Sequence, residues 1–98
     1  MILRFFRAIV HDGKQNEFQK FFLGKALPNI RLQPGLMSVS VGLPGVESPT
    51  EFSMVMVWRD LDALKAFTGE NWRQAVIDPD EVHLLKATHL YHYNLAEV

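Results

Sequence analysis

The 98-residue sequence predicts an α+β fold of the split βαβ, ferredoxin-like kind: a four-stranded antiparallel sheet with both helices on one face. Two observations predict it, and a third bears on what covers the sheet. The hydrophobic period changes in the order strand, helix, strand, strand, helix, strand. A turn signal stands at each change: "HDG" (11–13), "QPG" (33–35), "GLPGVESPT" (42–50), "RD" (59–60), "TGEN" (68–71) and "DPD" (78–80). The strands are apolar on both sides, which an antiparallel sheet with one wet surface is not.

The elements follow in order. Residues 2–11 hold Ile2, Leu3, Phe5, Phe6, Ile9 and Val10, aromatic and β-branched types that suit a strand. Residues 14–31 place Phe18, Phe21, Phe22, Ala26 and Ile30 at helical spacing, with Pro28 disturbing the last turns. In "LMSVSVGL" (36–43), Met37, Val39, Val41 and Leu43 fall on one side and Ser38 and Ser40 on the other. In "EFSMVMVW" (51–58), Phe52, Met54, Met56 and Trp58 oppose Val55 and Val57.

Asp60 reads as an N-cap, since its short carboxylate can accept a free first-turn N–H. A helix is expected from Leu61 to about Phe67, resuming after Gly69 to about Ile77. Another helical turn fits residues 79–85, and "KATHLYHYN" (86–94) is the last strand.

Composition narrows the function classes. Ninety-eight residues suit one domain spanning 1–98, and 48% apolar residues make it globular. The net charge is −1 with no Lys/Arg block, so neither nucleic acid nor an anionic membrane is an expected partner. The absence of cysteine removes disulfides, thiolate nucleophiles and cysteine-type zinc sites. "MILRFFRAIVHDG" is too short and too charged for a signal peptide or a membrane span. A soluble, cytoplasmic protein is expected.

A sheet apolar on both surfaces needs a second cover, and another copy of the chain is the simplest. A standard interface of roughly 1,600 Å² gives on the order of 20 kcal/mol gross from its apolar part. That exceeds the low end of the roughly 4–15 kcal/mol lost in association. A homodimer through the sheet is therefore expected.

The order of elements resembles the dimeric α+β barrel superfamily. Within it, "PG" (34–35) opening the second strand, "VW" (57–58) ending the third, Ala63 and Leu64 five and six residues on from Trp58, and the final "HYN" strand resemble the antibiotic biosynthesis monooxygenase domain. The likeness spans nearly the whole chain, and the order of the motifs carries it. The resemblance implies back-to-back sheets in a dimer and a ligand cleft between each sheet and its own helices. It also implies oxygenation of phenolic or quinol-like substrates without metal or organic cofactor.

Another branch of the family degrades heme. That branch would require an asparagine near the middle of the first strand, a tryptophan in the second helix and a histidine ten residues beyond. Aligned on Trp58, those slots fall near Arg7, on Phe67 and on Ile77, and isoleucine has no lone pair for iron. No metal or cofactor is expected here.

Such an oxygenation needs a base, a cation or donor for the oxyanion, and a dry aromatic pocket. In the last strand His89, Tyr91 and Tyr93 share one face, while Leu90, His92 and Asn94 share the other. His89, Tyr91 and Arg7 are the candidate catalytic set. Trp72, Phe67, Trp58 and Tyr93 are the candidate substrate walls, with Trp72 just beyond the break at Gly69. Arg7 sits among apolar neighbours in a central strand and needs a partner: Glu51, Asp60 or Glu70 in an ion pair, or a substrate oxyanion. "HxxH" at 89–92 is no metal site, because positions three apart on a strand point to opposite faces. The alternative reading is a non-catalytic dimeric module that binds a small apolar ligand. Alternation alone leaves open which face of each strand meets the helices.

Overall fold

The computed structural model describes residues 1–98. Its strands β1 (Ile2–Val10), β2 (Leu36–Gly42), β3 (Glu51–Trp58) and β4 (Leu85–Asn94) form one antiparallel sheet in the spatial order β2-β3-β1-β4. The β-α-β-β-α-β order and the ferredoxin-like topology are as the sequence predicts. No helix is long and apolar enough to cross a membrane.

The chain turns after β1 at Asp12-Gly13, where Gly13 has φ 88°, a conformation that costs glycine nothing. One continuous helical stretch follows: α1 (Gln15–Phe21), a π-helical turn (Phe22–Ala26) and α2 (Leu27–Arg31). Pro28 explains the π turn. Its ring has no N–H to give and would crowd the carbonyl four residues back, so the helix widens ahead of it. The Leu27 N–H accordingly bonds to Phe22 O, five residues back.

The even-numbered side of β1 faces these helices. Ala8, Val10, Phe18, Phe22, Phe52 and Trp58 are among its buried core residues, each at most 2% exposed. Phe18, Phe22 and Phe52 form an aromatic cluster with ring centroids 4.8–5.7 Å apart.

Asp60 caps α3 (Leu61–Thr68) as expected, its Oδ1 accepting the Ala63 N–H at 2.8 Å. Gly35, at φ 84°, lets the start of β2 approach this first turn: a Cβ there would collide with the Ala63 Cβ. The Arg59 N–H seals the contact by donating to Gly35 O at 2.8 Å.

The expected continuation of the helix to Ile77 does not form. Gly69 ends α3 at φ 81°, and residues 70–81 run as turns and irregular chain. Two causes are visible, one local and one distant in sequence. Pro79 disfavours helical backbone at Asp78 before it. The carbonyls of Trp72 and Gln74 are taken by the Arg4 guanidinium, at 2.6 and 3.2 Å, rather than by helical N–H groups. The helical turn foreseen over 79–85 is a short 3₁₀ segment, Val82–Leu84, leading into β4.

Candidate functional site

The sheet separates two environments. Register places Phe6 opposite Met54 and Leu90, and Arg4 opposite Met56 and His92, on the side covered by the helices. Leu3, Phe5, Arg7 and Ile9 occupy the other side. There they stand opposite Val57, Val55, Ser53 and Glu51 of β3, and Tyr93, Tyr91, His89 and Ala87 of β4.

A cavity of about 360 Å³ lies on the covered side, within the size range of small-molecule pockets. Phe6, Met54 and Met56 form its floor from the sheet. Phe21, Phe22, Ala26 and Ile30 come from the helical stretch, Phe67 from α3, and Val76, Ile77 and Pro79 from the loop after Gly69. Its polar groups are Arg4, Lys25, Asn29, Asp78 and Glu81. The long irregular segment 70–81 therefore forms one wall of the cavity.

Two cations hold that wall. Lys25 Nζ lies 3.1 Å from Asp78 Oδ2 and 2.7 Å from Asp80 Oδ2. These contacts raise the Lys25 pKa, and the Asp80 N–H together with Lys25 lowers that of Asp78. Arg4, 2% exposed, is the second. Besides the two loop carbonyls, its Nη1 lies 2.9 Å from His92 Nε2. A guanidinium can only donate, so Nε2 is the accepting, unprotonated nitrogen and His92 is neutral. Burial, then Arg4 and then Arg73 lower the His92 pKa in keeping with that.

All three Arg4 partners are uncharged, and burial pushes its pKa down to about 10. A buried cation without a counter-ion is costly.

The residues singled out from sequence divide between the two sides. Phe67 lines the cavity and stacks on Trp58, ring centroids 5.4 Å apart. Trp58 is fully buried behind it, with its Nε1–H unpartnered. Trp72 stands beside the cavity, edge-on to His92 at 4.9 Å and covered by the Arg73 guanidinium at 4.5 Å.

Arg7, His89, Tyr91 and Tyr93 lie on the opposite surface of the sheet, away from the cavity. Arg7 makes a two-pronged ion pair with Glu51, both bonds 2.9 Å, the structural partner anticipated for it. That pairing raises the Arg7 pKa and lowers that of Glu51.

Arg4, Lys25 and Glu81 are the cavity residues that sequence reasoning passed over. Arg4 and Arg7 both sit in an apolar strand, and only the helices decide which is inside. Glu81 follows "DPD" and reads as one more surface acid, yet it is 5% exposed.

The solved structures similar to this chain share its fold. A candidate antibiotic biosynthesis monooxygenase from Deinococcus radiodurans superposes with a TM-score of 0.78 at 16% identity, over 100% of this chain and 95% of its own. One from Nitrosomonas europaea gives 0.76 at 18% identity, covering 99% of this chain and 100% of its own. SnoaB, a cofactor-independent oxygenase from Streptomyces nogalater, in its N63A mutant form, gives 0.71 at 20% identity, covering 99% and 94%. No curated protein matches the sequence. The profile of the family described as Antibiotic biosynthesis monooxygenase matches residues 1–78 of the 98. The chain belongs to the antibiotic biosynthesis monooxygenase family.

Proposed function

We propose that this protein is a cofactor-independent monooxygenase acting on a small phenolic or quinol-like aromatic compound bound between the sheet and its helices. One observation carries the reading: an open, aromatic cavity of about 360 Å³ lined by a buried arginine that pairs with no acid. A phenolate oxygen supplies the missing charge. Arg4 is already held in place by two backbone carbonyls and His92, so its charge is positioned for that anion before the substrate arrives. The electron-rich phenolate reduces dioxygen: a phenol with a free ring position and O₂ give a quinone and water, the substrate providing both electron pairs. The cavity is open rather than plugged by Phe67 and the methionines, which favours this reading over a closed, non-catalytic module.

The outer sheet surface belongs to a second copy of the chain in this proposal. Leu3, Phe5, Ile9, Val55 and Val57 are apolar and only half-buried, and Tyr91 and Tyr93 are 45% and 55% exposed. No element of the chain covers them. Pairing two such surfaces satisfies both at once, and the Arg7–Glu51 pair then sits at the seam beside His89.

The test is oxygen consumption in metal-free buffer with a panel of phenols and quinols. Uptake by the wild type and its loss in Arg4→Met are expected. No uptake across the panel, or full activity in Arg4→Met, defeats the proposal.

A further inference from the structure

The cavity contains one buried acid that forms no ion pair and keeps one carboxylate oxygen free of the chain. Glu81 is 5% exposed and lines the cavity together with Arg4, Met54 and Phe67. Its Oε2 accepts the Asp78 N–H at 3.1 Å, while Oε1 accepts no hydrogen bond from the chain. Lys25 lines the same cavity but spends its charge on Asp78 and Asp80. An acid placed against aromatic walls without a cation is expensive to ionise. Burial is what chiefly raises the Glu81 pKa. The Asp78 N–H opposes the shift, the Asp78 charge adds to it, and Lys25 opposes it. A carboxylate shifted upward in this way is a stronger base than an ordinary one.

We infer that Glu81 is the general base of this cavity, taking through Oε1 the hydroxyl proton of a phenol or quinol bound there. The inference rests on the oxygenase reading above. In the step, the substrate O–H bond breaks and its electron pair stays on the substrate oxygen, facing the positive field of Arg4. The proton bonds to Glu81 Oε1. The phenolate then reduces O₂: a C–O bond forms at the free ring position and the O–O bond breaks, leaving one oxygen on the quinone. The departing oxygen takes the proton of that ring C–H and the proton returned by the carboxylic acid, and leaves as water. The charged groups around Glu81 are Asp78 and Asp80 on its own loop, Lys25 from the helical stretch and Arg4 from β1. Lys25 stays charged through the neutral range, and so does Arg4 at about 10. Of the cavity acids, Asp78 is ionised well below the point where Glu81 titrates.

The experiment compares wild type, Glu81→Gln and Glu81→Asp with two substrates, one whose hydroxyl is neutral throughout the assay range and one already ionised. With the neutral substrate, Glu81→Gln should lose roughly 100-fold in kcat, with KM little changed and the acid limb of the pH profile gone. Glu81→Asp should recover part of the rate. With the ionised substrate, Glu81→Gln should approach wild type. An equal loss on both substrates, or an acid limb that survives in Glu81→Gln, overturns the assignment.

A second measurement needs no turnover: 4-cyanophenol is bound anaerobically in weakly buffered solution near neutral pH. The wild type should show phenolate absorbance without releasing acid. Glu81→Gln should either keep the phenol neutral or release one proton per phenolate. Acid release by the wild type removes Glu81 as the base. Phenolate formed inside the site by a wild type that consumes no oxygen keeps the base and removes the oxygenase reading.

Discussion

The two sides of β1, the central strand before the first helix, have almost the same amino-acid make-up and opposite fates. On the covered side of β1 stand Arg4, Phe6 and Ala8; on the other stand Leu3, Phe5 and Arg7. Each surface is apolar with one arginine in it. The inner arginine is 2% exposed and bonded only to two carbonyls and a neutral imidazole. The outer one is part-exposed and fully neutralised by Glu51. The difference teaches where function can sit: a satisfied ion pair stabilises a surface, whereas an unneutralised cation facing a cavity invites a ligand.

The comparison breaks most visibly at the outer surface. Val55→Lys places a charge in the proposed seam twice by symmetry. It should cost on the order of 6 kcal/mol of association, roughly four powers of ten in Kd. Sedimentation velocity should then show a folded monomer in place of a dimer. A wild-type monomer would remove the seam altogether.

On the inner surface, Arg4→Met leaves the Trp72 and Gln74 carbonyls without their donor. About 3 kcal/mol of stability should go with it, read by urea unfolding, and hydrogen exchange should quicken across residues 70–81.

Gly35→Ala tests the contact that seats α3 on the sheet. The left-handed backbone and the Ala63 collision together should cost about 2 kcal/mol. The same change at Gly13, which also has positive φ but meets nothing within 4 Å, should cost less.

The smallest effect is the most diagnostic. The Glu81 pKa is raised in the folded protein, so the folded state binds that proton more tightly than the unfolded chain does. The associated stability is present in acid and lost as pH rises from the ordinary carboxylate range through the folded value. Glu81→Gln should therefore raise the melting temperature by a few degrees near neutral pH and leave it unchanged in acid. His92 has the opposite sign. Its lowered pKa means the folded state resists protonation, so stability should fall as pH drops through the ordinary histidine range.

Much of the fold was legible. The order of elements along the chain, the Asp60 cap, the disturbance at Pro28 and the helical turn before β4 all follow from local chemistry: a missing N–H, a short carboxylate, a change of period. The segment 70–81 was not. Trp72, Ala75 and Val76 keep a helical spacing, but Arg4, far away in sequence, takes the carbonyls a helix would need. That Arg7 would need a partner was legible because it is a strand arginine among apolar neighbours; the choice of Glu51 over Asp60 and Glu70 was made by the pairing of β1 with β3. Phe67 was legible as a cavity wall, since an aromatic on the inner stripe of a helix must face the sheet. Glu81 was not, because nothing in "DPDEVH" distinguishes a buried acid from a wet one.

By itself, then, the sequence determined the strands, the helices up to Gly69, their order and the apolar character of both sides of β1. A two-residue repeat with large apolar groups on each side looks the same when its faces are exchanged. Only the docking of the helices breaks that symmetry. Their arrival on the even-numbered side of β1 sent Arg4 toward the cavity and Arg7 to the rim, and with that choice made the site.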